Sequence, residues 1–192
     1  FIQNNAKLND ENKTNLSDYT HEDINNSITS IEFKDYTEIP NKLLENCINL
    51  TTITIPNTVT SIGKYAFSNT GITSYKVNSH VKKLGTHVFY NCQKLTSIHF
   101  DTPKLDSLNT NSNFHYQLPS NICSSCTKLT SVTLNKNIKA IDGRAFNGCR
   151  NLKISGLDLS NIQRLFSSSL NNCGQNILDD TFTIPQNIKY LS

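Results

Sequence analysis

The sequence predicts a solenoid of stacked coils in the α/β class, with short parallel strands along one face and one short helical turn per repeat of about 23 residues. Three observations predict it. Segments beginning at Leu50, Ile72, Leu95, Leu129 and Leu152 restate one pattern, at steps of 22, 23, 34 and 23 residues. Within each copy the apolar residues form three clusters of different spacing. No single copy can bury three clusters, so the copies must stack at roughly the 4.8 Å strand spacing into one elongated core.

Each repeat opens with a strand. Ile53 and Ile55, Tyr75 and Val77, Ile98 and Phe100, Val132 and Leu134, and Phe182 and Ile184 stand two apart. Each pair therefore points to one side, with small Thr and Ser residues outside. Pro56 and Pro185 follow directly, where a missing N–H and a fixed φ end pairing and start a turn. The second cluster spaces its apolar residues three apart and lines another side of the core: Val59 and Ile62, Val81 and Leu84, Leu105 and Leu108, Ile138 and Ile141, Ile162 and Leu165. Gly63, Gly85 and Asp142 then share one register, which suits a turn with φ above zero. The third cluster is Ala66-Phe67, Val88-Phe89, Ile122-Cys123 and Ala145-Phe146, with a small residue, usually Cys, three positions on. One helical turn fits that spacing. Asn46, Asn69, Asn91 and Asn172 precede the small residue, where an amide can satisfy backbone groups left open at a turn.

The pattern covers residues 28–192 as about seven whole or partial copies, a degenerate first copy included. It stops at Ser192 in mid-repeat, so the chain is expected to be a fragment of a larger protein. Residues 1–27 are acidic and Asn-rich without the repeat, which fits a terminal cap or a flexible leader. Glycosylation sequons stand at Asn12, Asn15, Asn25 and Asn49. The copy from Leu95 carries about eleven extra residues, which places an insertion at about 109–119.

Composition removes several classes. The chain has 192 residues, 36% hydrophobic and 17% charged, and no apolar run approaches the roughly 18 residues of a membrane span. Collagen, coiled coils and small disulfide knots are excluded by pattern. A net charge of +3 is too mild to argue for nucleic acid, but its distribution is uneven. Residues 1–45 carry nine acids and four bases, whereas residues 46–100 carry five lysines and no acid.

The string L-x-x-I-x-I-P-x-x-V-x-x-I-G-x-x-A-F-x-x-C, clearest from Leu50, Ile72 and Leu129, resembles the BspA-like class of leucine-rich repeats. Those repeats are found in surface proteins of anaerobic bacteria and parasitic protozoa. The resemblance implies a right-handed, horseshoe-like leucine-rich-repeat solenoid that acts as a non-catalytic binding module in adhesion or protein–protein interaction.

Catalysis finds no support in the residues. There is no G-x-S-x-G, P-loop, H-E-x-x-H or Rossmann glycine pattern, and the five histidines do not converge in a local motif. Cys123-Ser-Ser-Cys126 has the form of a metal or redox motif, but the repeat register makes both residues core positions of one coil. Cys47, Cys92, Cys126, Cys149 and Cys173 share a register, so buried free thiols are expected. No catalytic residue, metal or cofactor is assigned.

Three surfaces are candidates for binding. The first is the outward row of the strands, Glu32, Thr54, Lys76, His99, Thr133, Asp158 and Thr183, with Lys76 and His99 as its polar contacts. The second is the insertion, with Phe114-His115-Tyr116 among polar residues. The third is a basic strip of Lys82, Lys83, Lys139, Arg164 and Lys189, suited to sulfated glycans or anionic cell surfaces. The expected partner is a protein or glycan on a host or neighbouring cell, with no nucleic acid and no membrane insertion. The expected location is the cell surface or outside, with an intracellular interaction scaffold as the alternative.

Overall fold

The structure, a computed structural model, describes residues 7–8, 25, 27–102, 105–107, 116–174, 185–188 and 190–191. It is a parallel-strand solenoid in which each of the three apolar clusters forms its own side of a coil. The opening strands β2 (Ile28–Glu32), β4 (Thr52–Thr54), β6 (Ser74–Val77), β8 (Ser97–Phe100) and β11 (Ser131–Leu134) make the first side. A short strand β1 (Lys7–Leu8) lies antiparallel against β2 and covers its edge. The expected strand of the copy from Leu152 is instead a single 3-10 turn at Ile154–Gly156, and Asp158 leaves the outward row. Its carboxylate accepts the Ser160 N–H at 2.9 Å, and hydrogen bonding from the Ser160 side chain and then from this N–H holds it below the usual carboxylate range.

The second side is a ladder of two-residue strands. β3 (Glu38–Ile39), β5 (Ser61–Ile62), β7 (Lys83–Leu84) and β9 (Asp106–Ser107) pair in parallel, and so do β10 (Gln117–Leu118), β12 (Ala140–Ile141), β13 (Arg164–Leu165) and β14 (Tyr190–Leu191). The insertion divides this ladder. β9 pairs back with β7 and β10 pairs forward with β12, while the Tyr116 N–H donates to the Leu105 carbonyl at 2.8 Å. By register the additional residues are therefore about 106–116, and Gln117 and Leu118, expected in the loop, are buried scaffold. Leu118, fully buried, takes the place of Ile62, Leu84, Ile141 and Leu165 that was expected for Leu108, which lies outside the described residues.

The third side differs from the expected helical turn. The N–H groups of Tyr65, Phe67 and Asn69 donate to Thr86, Val88 and Tyr90 of the next coil, at 3.1, 3.0 and 2.9 Å. Those of Ala66 and Ser68 between them donate back to Gly63 and Tyr65. A helix spends every N–H along its own axis, whereas here alternate ones tie coils together. The alternation requires left-handed backbone at two rows of residues: Lys42, Tyr65, His87, Asn121, Arg144 and Ser168, and Asn46, Asn69, Asn91, Ser125, Gly148 and Asn172, with φ between 55° and 77°. Gly63 and Gly85 belong to neither row. They serve close approach, since a Cβ at Gly63 would stand 2.5 Å from the Asn41 N and one at Gly85 2.4 Å from the Lys64 N.

Asparagine suits the second of these rows because its side chain both tolerates left-handed backbone and bridges coils. Asn69 donates to Asn46 at 2.6 Å and accepts from Asn91 at 2.5 Å. Where Ser125 interrupts the ladder, Gln93 donates to Asn91 and, at 2.6 Å, to the Ser125 carbonyl. Asn69→Ala removes two bonds and strains the backbone, so it is expected to destabilise by about 2 kcal/mol. Asn69→Gly, relieved of the strain, should recover part of that loss in chemical denaturation.

The core runs the length of the stack. Leu50, Ile72, Leu95, Leu129 and Leu152 are at most 1% exposed, as are Phe67, Phe89 and Phe146 and the residues Ile62, Leu84 and Ile141 of the second side.

Candidate functional site

The first side carries an open groove of about 740 Å³ lined by Thr51–Ile55, Thr73–Lys76, Asn78, Ser97–His99, Ser131 and Thr133. Alternation along the strands puts apolar side chains inward and leaves hydroxyls outward, and parallel pairing sets these hydroxyls in rows. Ser74, Ser97 and Ser131 stand on adjacent rungs, and Lys76, His99 and Thr133 on the next such row. Along one margin, the Thr96 hydroxyl donates to the Thr73 carbonyl at 2.9 Å and that of Thr130 to the Thr96 carbonyl at 3.1 Å.

Lys76 and His99, the candidates on this face, are brought together around a third residue, Asp101. The Lys76 ammonium lies 2.9 Å from one carboxylate oxygen and His99 Nε2 lies 3.9 Å from the other. Lys76 is the main cause that holds the Asp101 carboxyl below its ordinary range. Lys76 is thus one end of an exposed ion pair, not an isolated cation, and the groove offers a charge cluster within a field of hydroxyls.

The ladder beneath the groove is not continuous. β2 pairs with β4, and β6 with β8 and β8 with β11, but β4 and β6 do not pair. Elsewhere the row is framed by the Thr96 N–H donating to Thr73 at 2.8 Å and the Asp101 N–H donating to Val77 at 3.0 Å. The matching bonds from Thr73 to Thr51 and from Asn78 to Ile55 are missing. The same two coils remain joined on the second side, where Ser61-Ile62 pairs with Lys83-Leu84, and on the third, from Phe67 to Val88. They hinge open on the strand side only. Tyr75 supplies the wedge: it occupies the register of Ile31, Ile53, Ile98 and Val132, and its ring reaches Phe67 at 5.6 Å and Phe89 at 5.2 Å. Its hydroxyl is buried with no hydrogen-bond partner among the described residues, and burial drives its pKa upward. Ile53 and Tyr75 are partly exposed at the opening, although Ile31 and Ile98 are only 2% exposed.

The other candidates lie on a different side. Lys82 and Lys83 are exposed on the second ladder, where both N–H groups donate to the Thr60 carbonyl and Lys83 stands opposite Asp106. The basic strip is uneven: the Arg164 guanidinium lies 4.9 Å from the Phe166 ring, Lys139 donates to its own Lys136 carbonyl at 2.7 Å, and Lys189 lies outside the described residues. Tyr116 emerges on this side too, 36% exposed, its carbonyl accepting the Lys139 N–H. Phe114 and His115 lie outside the described residues, as do Thr183 and the last strand pair, Phe182 and Ile184.

One surface cluster escaped the sequence. Tyr65 and His87 stack at 4.4 Å, Tyr90 packs edgewise at 6.4 Å from Tyr65, and Lys64 sits 5.6 Å above the Tyr65 ring. Burial, then Lys64, lowers the pKa of His87. The signal was available, because Tyr65 and His87 share the register two positions after Gly63 and Gly85.

All six cysteines are unbridged, and five are buried. Cys92, Cys126, Cys149 and Cys173 donate their thiols to the carbonyls of Phe67, Phe89, Cys123 and Phe146, at 3.0 to 3.2 Å. Burial raises the pKa of Cys92, Cys123, Cys126 and Cys149, and that of Cys47 to about 11. Native protein at pH 8 is therefore expected to react slowly with a thiol reagent, the half-buried Cys173 first, and all six should react rapidly after unfolding. Among the described residues, no group of three or more His, Cys, Asp or Glu side chains is placed to hold a metal ion.

No curated protein matches the chain. Among solved structures it is similar to a leucine-rich repeat protein from Eubacterium ventriosum, at 22% identity and a TM-score of 0.58, over 85% of this chain and 44% of that one. It is also similar to one from Bacteroides ovatus, at 22% identity and a TM-score of 0.54, over 77% of this chain and 47% of that one. The chain thus spans less than half the length of either, and the likeness extends to the fold. The family model for the BspA type leucine rich repeat region matches residues 14–117 and 99–192, in 6 copies. With that match added to the repeated register of its coils, the chain belongs to the BspA type leucine-rich-repeat family.

Proposed function

We propose that the chain is a binding module without catalysis, which presents its strand face to a protein or glycan ligand and serves adhesion at a cell surface. Membership of a leucine-rich-repeat family supports a scaffold for protein interaction. The observation that carries the choice of face is the groove, a regular field of hydroxyls on rigid rungs with one charge cluster at Lys76, His99 and Asp101. It contains no cluster of Trp and Arg anchors, so single-site affinity should be modest and repeated contacts additive.

The test compares three forms on a panel of matrix proteins, glycans and intact cells: the unaltered chain, the double variant Ser97→Arg with Thr133→Arg, and a deletion of 106–116 that restores the repeat period. The arginine variant should lose at least tenfold in retention, while the deletion holds within about twofold. Binding lost on deletion and kept in the arginine variant would place the site in the insertion and overturn the choice of face.

A second reading, an intracellular interaction scaffold, is favoured by the six unbridged thiols. Antibody labelling of intact against permeabilised cells separates the two.

A further inference from the structure

The break between β4 and β6 asks for a particular partner. In the first side every other neighbouring pair of described strands is hydrogen-bonded, yet here two parallel edges face each other without a bond. Unpaired edges are sticky, because their N–H and C=O groups are matched best by another backbone. The outward side chains along them are Thr52 and Thr54 on one edge and Ser74 and Lys76 on the other, and the ion pair with Asp101, just past β8, draws Lys76 away from the opening. Inside, partly exposed Ile53 and Tyr75 give an incoming apolar side chain something to rest on.

We propose that the ligand of this groove is an extended polypeptide segment, which docks by adding a strand at the β4–β6 opening. The inference rests on the strand face being the binding surface and names what that surface takes. A glycan could use the hydroxyls of the groove, but it cannot satisfy alternating donors and acceptors at strand spacing on two edges. A segment of about four residues matches the length of β6, with its backbone bonded to one or both edges and its alternate side chains directed toward Ile53 and Tyr75. Tyr75 is then a positioning residue, which holds the coils apart and does not itself supply the bonds.

The probe is a phage-displayed library of random decapeptides, selected on the folded chain, with a glycan array beside it. Selected peptides are resynthesised with N-methyl groups on alternate backbone amides. We expect at least tenfold loss of affinity in one methylation frame if the segment bonds a single edge, and in both frames if it bonds both edges, because alternate N–H groups of a strand point to opposite sides. Tyr75→Ile, which installs the residue found at the same register in neighbouring coils, should close the opening and weaken the same peptides at least tenfold.

Affinity indifferent to both methylation frames, or selection that yields no peptide while the array yields a glycan, would overturn the proposal. The N-methyl comparison uses the unaltered protein, so it stands even if Tyr75→Ile folds poorly. Ser97→Arg with Thr133→Arg keeps the two levels apart. If it abolishes cell or matrix binding while methylation has no effect, the face is right and the strand mode is wrong; if it leaves cell and matrix binding intact, the choice of face itself fails.

Discussion

Phe89→Ala is expected to lower stability by about 3–5 kcal/mol, among the largest effects of any single truncation in this chain. Phe89 is fully buried, packs against Phe67 at 5.7 Å and Tyr75 at 5.2 Å, and sits midway along a stack in which each coil leans on its neighbours. Its backbone is also a junction: the N–H donates to Ile122 of the next coil at 2.9 Å, and the carbonyl receives the Cys126 thiol at 3.0 Å. A cavity there weakens three coils at once, and coupling between neighbours is what holds a solenoid together. For a domain of this size the melting temperature should fall by roughly 10 °C. Thr133→Ala, on the outward face of the same scaffold, should stay within about 0.5 kcal/mol. A fall of less than about 3 °C for Phe89→Ala would mean that the coils are not packed as described.

Gly85→Val should be as damaging for a different reason. An added Cβ would meet the Lys64 backbone N at 2.4 Å and the Lys64 Cα at 2.7 Å, and backbone cannot swing aside as a flexible side chain can. The second and third coils would have to separate on the very side where β5 and β7 still join them. With the strand side already open, the third side alone would then hold the halves of the stack together, and soluble folded protein should drop sharply. Gly85→Ala should cost at least about 2 kcal/mol by the same contact. Gly143→Ala is the control, because its nearest neighbour would be the Ser167 carbonyl oxygen at 3.2 Å and the strain correspondingly small. Equal losses at Gly85 and Gly143 would refute close approach as the reason for glycine.

The solenoid was legible because three apolar clusters recurred in step, and stacking is the one arrangement that buries all of them. The third side was misread for a physical reason: residues three apart such as Phe67 and Thr70 satisfy a helical turn and a run of tight turns equally well. Only the left-handed Tyr65 and Asn69 distinguish them, and neither residue type announces that conformation as glycine would. The same logic misassigned Gly63 and Gly85, whose role depends on where the neighbouring coil passes. The insertion was visible as a lengthened period, but its ends were not, since Leu108 and Leu118 are both plausible occupants of one core position and pairing alone selects Leu118.

For the site, sequence placed Lys76 and His99 on the outward side of the strands, where the structure also has them, but did not join Asp101 to Lys76, because Asp101 lies beyond the end of β8 and meets Lys76 only through the pairing of β6 with β8. The opening at β4 and β6 had a faint signal, a tyrosine at a register otherwise held by Ile and Val. That a bulkier inward residue would part the strands while the other two sides stay joined depends on packing that no single repeat contains.

The strand face is split between its second and third coils, and amide hydrogen exchange at single-residue resolution is the most direct test of that split. The Thr73 and Asn78 amides, which face the opening, should exchange at least about a hundredfold faster than Thr96 and Asp101, their bonded equivalents one coil on. Equal protection at all four would contradict it, because the ladder would then run unbroken and the groove would hold no unpaired edge for a ligand to meet.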